Sequence, residues 1–265
     1  MKVLIFPDAK DAIAAAARLV LDQVRLKPDA VLGLATGGTM EAVYDRVADG
    51  AREGAVSFAG VSSFNLDEYL GLPPEHPASY HTYMRQRLFS RIGIDLTRTH
   101  LPKGDCEDAE TECERYEAAI AASGGIDLQL LGIGRNGHIG FNEPTSSLSS
   151  RTRVKTLTAE TREANAQFFE RPEDMPHYAL TMGIGTILDA RHCILLAIGA
   201  SKAEPVAKAI EGPLAATCPA SALQLHRHAT MLLDREAAAR LELVDYYQRV
   251  HPDGAPAQIK PGERS

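Results

Sequence analysis

The architecture of this chain is read from residues 31–52, Val31-Leu32-Gly33-Leu34-Ala35-Thr36-Gly37-Gly38-Thr39 followed by MEAVYDRVADGAR. Residues 31–34 carry no polar side chain, as a strand buried on both faces of a parallel sheet requires. Paired glycines then turn the chain into an amphipathic helical stretch, 39–52. The same unit recurs in both directions. Strands are predicted at 2–6 (KVLIF), 61–64 (VSSF), 126–131 (IDLQLL), 193–198 (CILLAI) and 231–233 (MLL), and helices at 8–25, 77–91, 108–122, 160–169, 201–210 and 234–250. This alternation predicts a three-layer α/β fold, an open and mostly parallel sheet of Rossmann-like type. No internal repeat, low-complexity tract or Pro/Gly linker divides it. Residues 1–250 are therefore expected to form a single α/β catalytic domain, with 251–265 a flexible C-terminal tail.

Composition narrows the function classes. Lys and Arg number 28 against 35 Asp and Glu, a net charge of −7, so nothing draws the chain as a whole to nucleic acid or to anionic membranes. No apolar run approaches the roughly 18 residues that span a bilayer, and Asp8 and Asp11 interrupt the start where a signal peptide stays apolar. A soluble, cytoplasmic protein is expected. Cys106, Cys113, Cys193 and Cys218 show no CxxC spacing and read as buried or half-buried thiols of a reducing compartment.

Four stretches carry candidate chemistry. Thr36, Gly37, Gly38 and Thr39 leave a strand and enter a helix, which suits an anion cradle of backbone N–H groups, although an ordinary turn capped by Thr39 has the same pattern. It is not a P-loop, because no Lys follows the glycines. FNLDEY ends another strand on Asp67 and Glu68; a half-desolvated carboxylate there suits a general base, and a mere turn cap is the other reading. GIGRNG at 132–137 matches G-x-G-x-x-G, but HIGFNEP follows where a dinucleotide site needs a helix, so that reading is rejected. The segment from 132 to about 158 reads instead as a loop region carrying Asn136, His138 and Glu143, which suits acid–base work; a merely structural histidine is the other reading. Zinc is not expected, since neither HExxH nor a Cys/His ligand pair occurs. Ser146, Ser147, Arg151, Arg153, Lys155 and Thr156 form a hydroxyl and cation cluster that suits a second anion or a solvated loop. Lys202, opening a helix after a strand, reaches either a phosphate at the sheet edge or solvent.

Taken together, TGGT after a strand, FNLDEYLGL, GIGRNGHIGFNEP, SSLSSRTRVKTLT and ALTMGIGTILDA resemble the glucosamine-6-phosphate deaminase (glucosamine-6-phosphate isomerase) family, from about Leu32 to the final helix. The related 6-phosphogluconolactonases share the fold and a GxxGH loop, but FNLDEY and NEP point to the deaminase branch. The resemblance implies conversion of glucosamine 6-phosphate and water to fructose 6-phosphate and ammonia, without metal or organic cofactor. It implies ring opening by His138 oriented by Glu143, with Asn136 beside them, and proton transfer from C2 to C1 by Asp67. Thr36, Gly37, Gly38, Thr39 and Lys202 would hold the 6-phosphate. Ser146, Arg153, Lys155, Thr156 and Tyr246 match the family's allosteric site for N-acetylglucosamine 6-phosphate, which implies a homo-oligomer, a hexamer, with that pocket at a subunit interface. A lactonase, another phosphosugar isomerase and a non-catalytic phosphosugar sensor are the competing readings.

Two positions depart from the family pattern. Asn136 stands where a member of the family has an aspartate; an amide lends an imidazolium no charge, so ring opening should lean more on Glu143. Gln167 stands where the pattern has an arginine on the substrate phosphate, a charge-assisted contact worth about 1–3 kcal/mol. Arg162 lies five residues earlier, roughly 140° round a regular helix, and should not replace it.

Overall fold

A computed structural model describes residues 1–255. In chain order its first half consists of β1 (Lys2–Phe6), α1 (Ala9–Leu26), β2 (Val31–Leu34), α2 (Gly38–Arg52), β3 (Ser62–Asn65), β4 (Asp67–Tyr69), α3 (Tyr80–Met84), α4 (Ser90–Ile92), β5 (Thr99–His100) and α5 (Ala109–Ala122). The second half contributes β6 (Leu128–Leu131), β7 (Arg153–Thr156), α6 (Ala159–Asn165), β8 (Tyr178–Thr181), α7 (Ile184–Leu188), β9 (Cys193–Ala197), α8 (Ala203–Ile210), β10 (Ala229–Asp234) and α9 (Val244–Val250).

The large sheet has the order β1-β10-β9-β6-β2-β3-β5, and all its pairs are parallel. From β2 the chain winds one way, through β3 to β5; from β6 it winds the other way, through β9 to β10. Right-handed crossovers run in opposite directions put their helices on opposite faces, which produces the three layers. The reversal falls between the neighbours β2 and β6, paired Leu32 to Leu128 and Gly33 to Gln129. A crevice opens beyond their carboxyl ends, and the TGGT and GIGRNGH segments are the loops that leave there.

Local chemistry sets most boundaries. Asp8 caps α1 by accepting the Asp11 N–H at 2.9 Å, and Ala12, Ala16, Val20 and Val24 bury one stripe of that helix. Ser79 caps α3 through the Thr82 N–H at 3.1 Å, so the helix expected from residue 77 begins at Tyr80; it continues through a π turn at Arg85–Phe89 into α4. The helix expected over 234–250 is mostly absent. Ala229–Asp234 is strand, Asp234 turns the chain by accepting the Ala237 N–H at 2.7 Å, and Glu211 takes the N–H groups of Glu242 and Leu243 at 2.6 and 3.0 Å. Only Val244–Val250 is helical, because these carboxylates capture amides that a continuous helix would bond internally.

A second sheet was not anticipated. β4, β8 and β7 form a small antiparallel sheet with Asp67 opposite Thr181 and Arg153 also opposite Thr181. Residues 153–156 therefore leave the expected loop: their RVKT pattern is polar and half-exposed, as an edge strand tolerates, and carries no apolar signal. Tyr69, Phe141 and Phe169 pack beneath this sheet in a satellite core. Residues 251–255, expected within the tail, hold a short turn, Pro252–Gly254, against β1, and His251 is buried; the remainder of that expectation, 256–265, lies outside the described residues. Three of the four cysteines are buried, Cys106 is half-buried, and all are free thiols. Among the described residues no helix is long and apolar enough to cross a membrane.

Candidate active site

A cavity of about 580 Å³ opens where β2, β3, β6 and β9 end. Its walls include Thr36, Gly37, Gly38, Thr39, Asp67, Asn136, His138 and Lys202, eight of the nine residues expected to be catalytic or phosphate-binding. The ninth, Glu143, lies behind His138 and is 2% exposed.

Asp67 owes its position to a change of sheets. Leu66 donates its N–H to Leu34 O at 3.0 Å in the large sheet and accepts the Met182 N–H at 2.7 Å from the small one. Successive side chains of β4 then point to opposite faces, which separates the two carboxylates. Glu68 turns to α3 and accepts the Tyr80 and His81 N–H groups, each at 3.1 Å, with His81 Nδ1 at 3.0 Å. Asp67 faces the cavity. Both carboxylates are buried, but Glu68 is the cap, and Asp67 is the one left facing the cavity. Burial, then the charge of Glu68, push Asp67 up to about 8, against a smaller opposing pull from the Phe141 N–H.

The His138 loop is held by its own backbone, with the Gly134 N–H on His138 O at 2.9 Å. The imidazole lies flat on Gly134, where a Cβ would stand 2.3 Å from Cε1 and 2.4 Å from Nε2; only glycine leaves room for the ring. No helix begins among residues 132–144, as the rejection of a dinucleotide site requires. Asn136 Nδ2 donates to Glu143 Oε2 at 2.7 Å, and Asn136 Oδ1 accepts the His138 N–H at 3.2 Å. His138 Nδ1 stands 3.5 Å from Glu143 Oε2, at the outer edge of hydrogen-bond reach. Asn136 therefore aims the carboxylate that faces the ring. Burial alone would raise the Glu143 carboxyl, but hydrogen bonds from His138, Thr161 and Asn136, with the charge of His138, hold it at about 2.

At the other end of the cavity Gly37, at φ +111°, precedes α2, whose N-terminus no side chain caps. A Cβ at Gly37 or Gly38 meets nothing within 4 Å, so these backbone groups face open space. Lys202 Nζ donates to Ile133 O at 2.7 Å, and burial, then the charge of Arg135, lower its pKa. Two lining residues went unsingled in the sequence. Tyr80, whose OH lies 3.1 Å from that of Tyr69, gave no local signal; Arg135 was legible as a lone cation inside a glycine-rich loop. Gln167 also lines the cavity, with Nε2 on Ala164 O at 2.9 Å, while Arg162 does not and donates to Met175 O at 3.3 Å. Among the described residues no group of three or more His, Cys, Asp or Glu side chains is gathered to hold a metal ion.

The second expected site is divided. Ser146 is buried with Oγ unpartnered, and Arg153 donates Nη1 to Asn142 Oδ1 at 2.9 Å while its Nη2 is buried without a partner. Lys155 and Thr156 continue along β7. Tyr246, 58% exposed, lies on α9 against β1, at the opposite edge of the large sheet from β3 and β5. One chain does not bring Tyr246 to the others.

Fold and cavity together define a doubly wound α/β enzyme whose pocket gathers a carboxylate, an imidazole and a lysine at the uncapped start of a helix. Residues 7–232 match the family described as glucosamine-6-phosphate isomerases/6-phosphogluconolactonase, and the chain belongs to it. The glucosamine-6-phosphate deaminase of Shewanella loihica is 53% identical over 260 residues, 98% of this chain and 97% of that protein. A solved monomeric glucosamine-6-phosphate deaminase is 48% identical with a TM-score of 0.88, covering 91% of this chain and all of that one. The 6-phosphogluconolactonase of Trypanosoma cruzi shares the fold, with a TM-score of 0.73 at 20% identity over 91% of this chain and 97% of that one.

Proposed function

We propose that this chain is a glucosamine-6-phosphate deaminase, producing fructose 6-phosphate and ammonia from glucosamine 6-phosphate and water, as the names of its relatives at about half identity suggest. One observation carries the reading: Asp67 and His138 line the same cavity as Lys202 and the uncapped start of α2. A phosphate held at the cradle uses binding energy remote from the reaction to orient the reacting carbons. His138, with Glu143 behind it, moves the O1 proton to the ring oxygen and opens the pyranose. Asp67 takes the proton from C2, giving an enolamine, and returns it to C1, giving an iminium; water adds to C2 and ammonia leaves. One carboxylate serves both transfers because burial slows, without abolishing, exchange of the held proton with bulk water.

Purified protein incubated with millimolar glucosamine 6-phosphate is expected to release ammonia and fructose 6-phosphate in equal amounts, measured by coupled assays. No ammonia, or hydrolysis of 6-phosphogluconolactone instead, overturns the reading. We place the reaction in the cytoplasm and in N-acetylglucosamine catabolism; the four free thiols support the compartment.

Ser146, Arg153, Lys155, Thr156 and Tyr246 are proposed to bind N-acetylglucosamine 6-phosphate between subunits of a hexamer. The unpartnered Ser146 Oγ and Arg153 Nη2 support a polar ligand, and the distance of α9 from β7 calls for a second subunit. A relative of 48% identity is monomeric, so the mass in solution is the sharp test. Light scattering is expected to give six chain masses, and the activator to lower the half-saturating substrate concentration. A monomer with an unshifted saturation curve defeats both proposals.

A further inference from the structure

We propose that Arg135 is the guanidinium partner of the substrate's phosphate and so sets this pocket's preference for a phosphorylated sugar. The inference rests on the phosphosugar reading of the cavity and adds a residue to it. Arg135 is the one arginine among the described residues that line the cavity, and it shares that wall with Lys202, Gly37, Gly38 and Thr39. Its loop is pinned from both sides, by the Gly134 N–H on His138 O at 2.9 Å and the Gly137 N–H on Gly134 O at 3.0 Å. The cation is thus carried by the loop that carries the imidazole.

Its guanidinium is uncommitted. Among the described residues Arg135 makes no ion pair and no side-chain hydrogen bond, whereas nearby arginines are engaged: Arg151 with Glu117 and Asp189, Arg153 with Asn142, Arg162 with Met175 O. Glu160 and Glu163 also line the cavity, and neither pairs with it. Arg135 and Lys202 therefore repel, and the Lys202 ammonium is weakened by burial and by Arg135. Two neighbouring cations lining one cavity suit a shared anion.

Charge arithmetic favours the same ligand. A phosphate monoester carries about −1.5 to −2 near neutral pH. One ammonium and a helix N-terminus, about +0.5, reach only the lower end of that charge; a guanidinium covers the rest and adds a planar fork for two oxygens. Gln167, which also lines the cavity, offers no substitute, since it is neutral and tied to Ala164 O.

The test compares Arg135→Gln and Arg135→Lys with the parent in two assays. In turnover of glucosamine 6-phosphate, Arg135→Gln is expected to raise KM roughly 10–100-fold with kcat within about threefold, and Arg135→Lys to recover part of the loss. In calorimetry with inorganic phosphate, which needs no turnover, the affinity of Arg135→Gln should fall by a comparable factor. Adding Gln167→Arg to Arg135→Gln should restore both, by supplying a guanidinium from another lining position. A KM within twofold of the parent, or a raised KM with unchanged phosphate affinity, overturns the proposal. A parent that binds phosphate but releases no ammonia refutes the deaminase reading and leaves the calorimetry to judge Arg135.

Discussion

Asp67→Asn abolishes exchange of the substrate's C2 proton with solvent and at the same time makes the protein more stable above neutral pH. The loss follows from removing the buried cavity carboxylate that serves as base; general base contributions run to about 10²–10⁴-fold. The gain follows from burial. In the folded chain the carboxyl is raised to about 8, whereas unfolded it returns to about 3.9. The native state then binds its proton more tightly, so this group's contribution to stability is fully present below pH 4 and is lost as pH rises through 8. The cost of the ionised form approaches the order of 5 kcal/mol above that range. An asparagine keeps the shape and never ionises. Thermal melts of parent and variant should therefore coincide near pH 4 and separate by several degrees at pH 8–9, the variant melting higher. Deuterium at C2, followed by NMR in heavy water, reads the chemistry. Retained exchange removes Asp67 from the base role, and a melting difference that ignores pH removes the buried charge.

Glu143→Gln should cut kcat by roughly 10²–10³-fold while leaving KM within about twofold. Glu143 does not line the cavity, so ground-state binding does not use it; its carboxylate faces His138 Nδ1 at 3.5 Å and favours the imidazolium formed as the ring opens. The amide retains the shape and can still accept from Asn136, but it carries no charge. Stability has the opposite pH sign from Asp67. The folded carboxyl, near 2, lies below its unfolded value, so its contribution is present above about pH 4.5 and fades as pH falls toward 2. The parent should melt above the variant at pH 7, and the gap should close in acid. A KM that rises with little change in kcat would place Glu143 in binding rather than in proton transfer.

Strand β2, its glycine turn and α2 were legible because each rests on neighbours a few residues away: an unbroken apolar run, paired glycines, a helical stripe. Where distant groups competed for the same backbone, that reading failed. Residues 234–250 have helical composition, yet Glu211 takes the amides of Glu242 and Leu243. Likewise β7 shows no strand signal; its pairing with β8 exists because that partner lies across a gap of more than twenty residues. In the candidate site the acid–base residues were visible as types, clustered on loops after buried strands. Tyr80 and the uncommitted state of Arg135 were not, since both depend on what the rest of the chain places beside them.

Sequence alone established the parallel α/β class, the two loops that bound the cavity, and the residue types offered there, because periodicity and turn chemistry are properties of short stretches. Which of two adjacent carboxylates faces a ligand was settled by the three-dimensional pairing of β4 with β8, Asp67 opposite Thr181. That register buries Asp67 in the cavity wall and sends Glu68 to the first turn of α3, so two chemically similar neighbours acquire different partners and different tasks. The physical reason is environment: burial and hydrogen-bond partners depend on what surrounds a group in space, and those surroundings come from residues far apart in the chain.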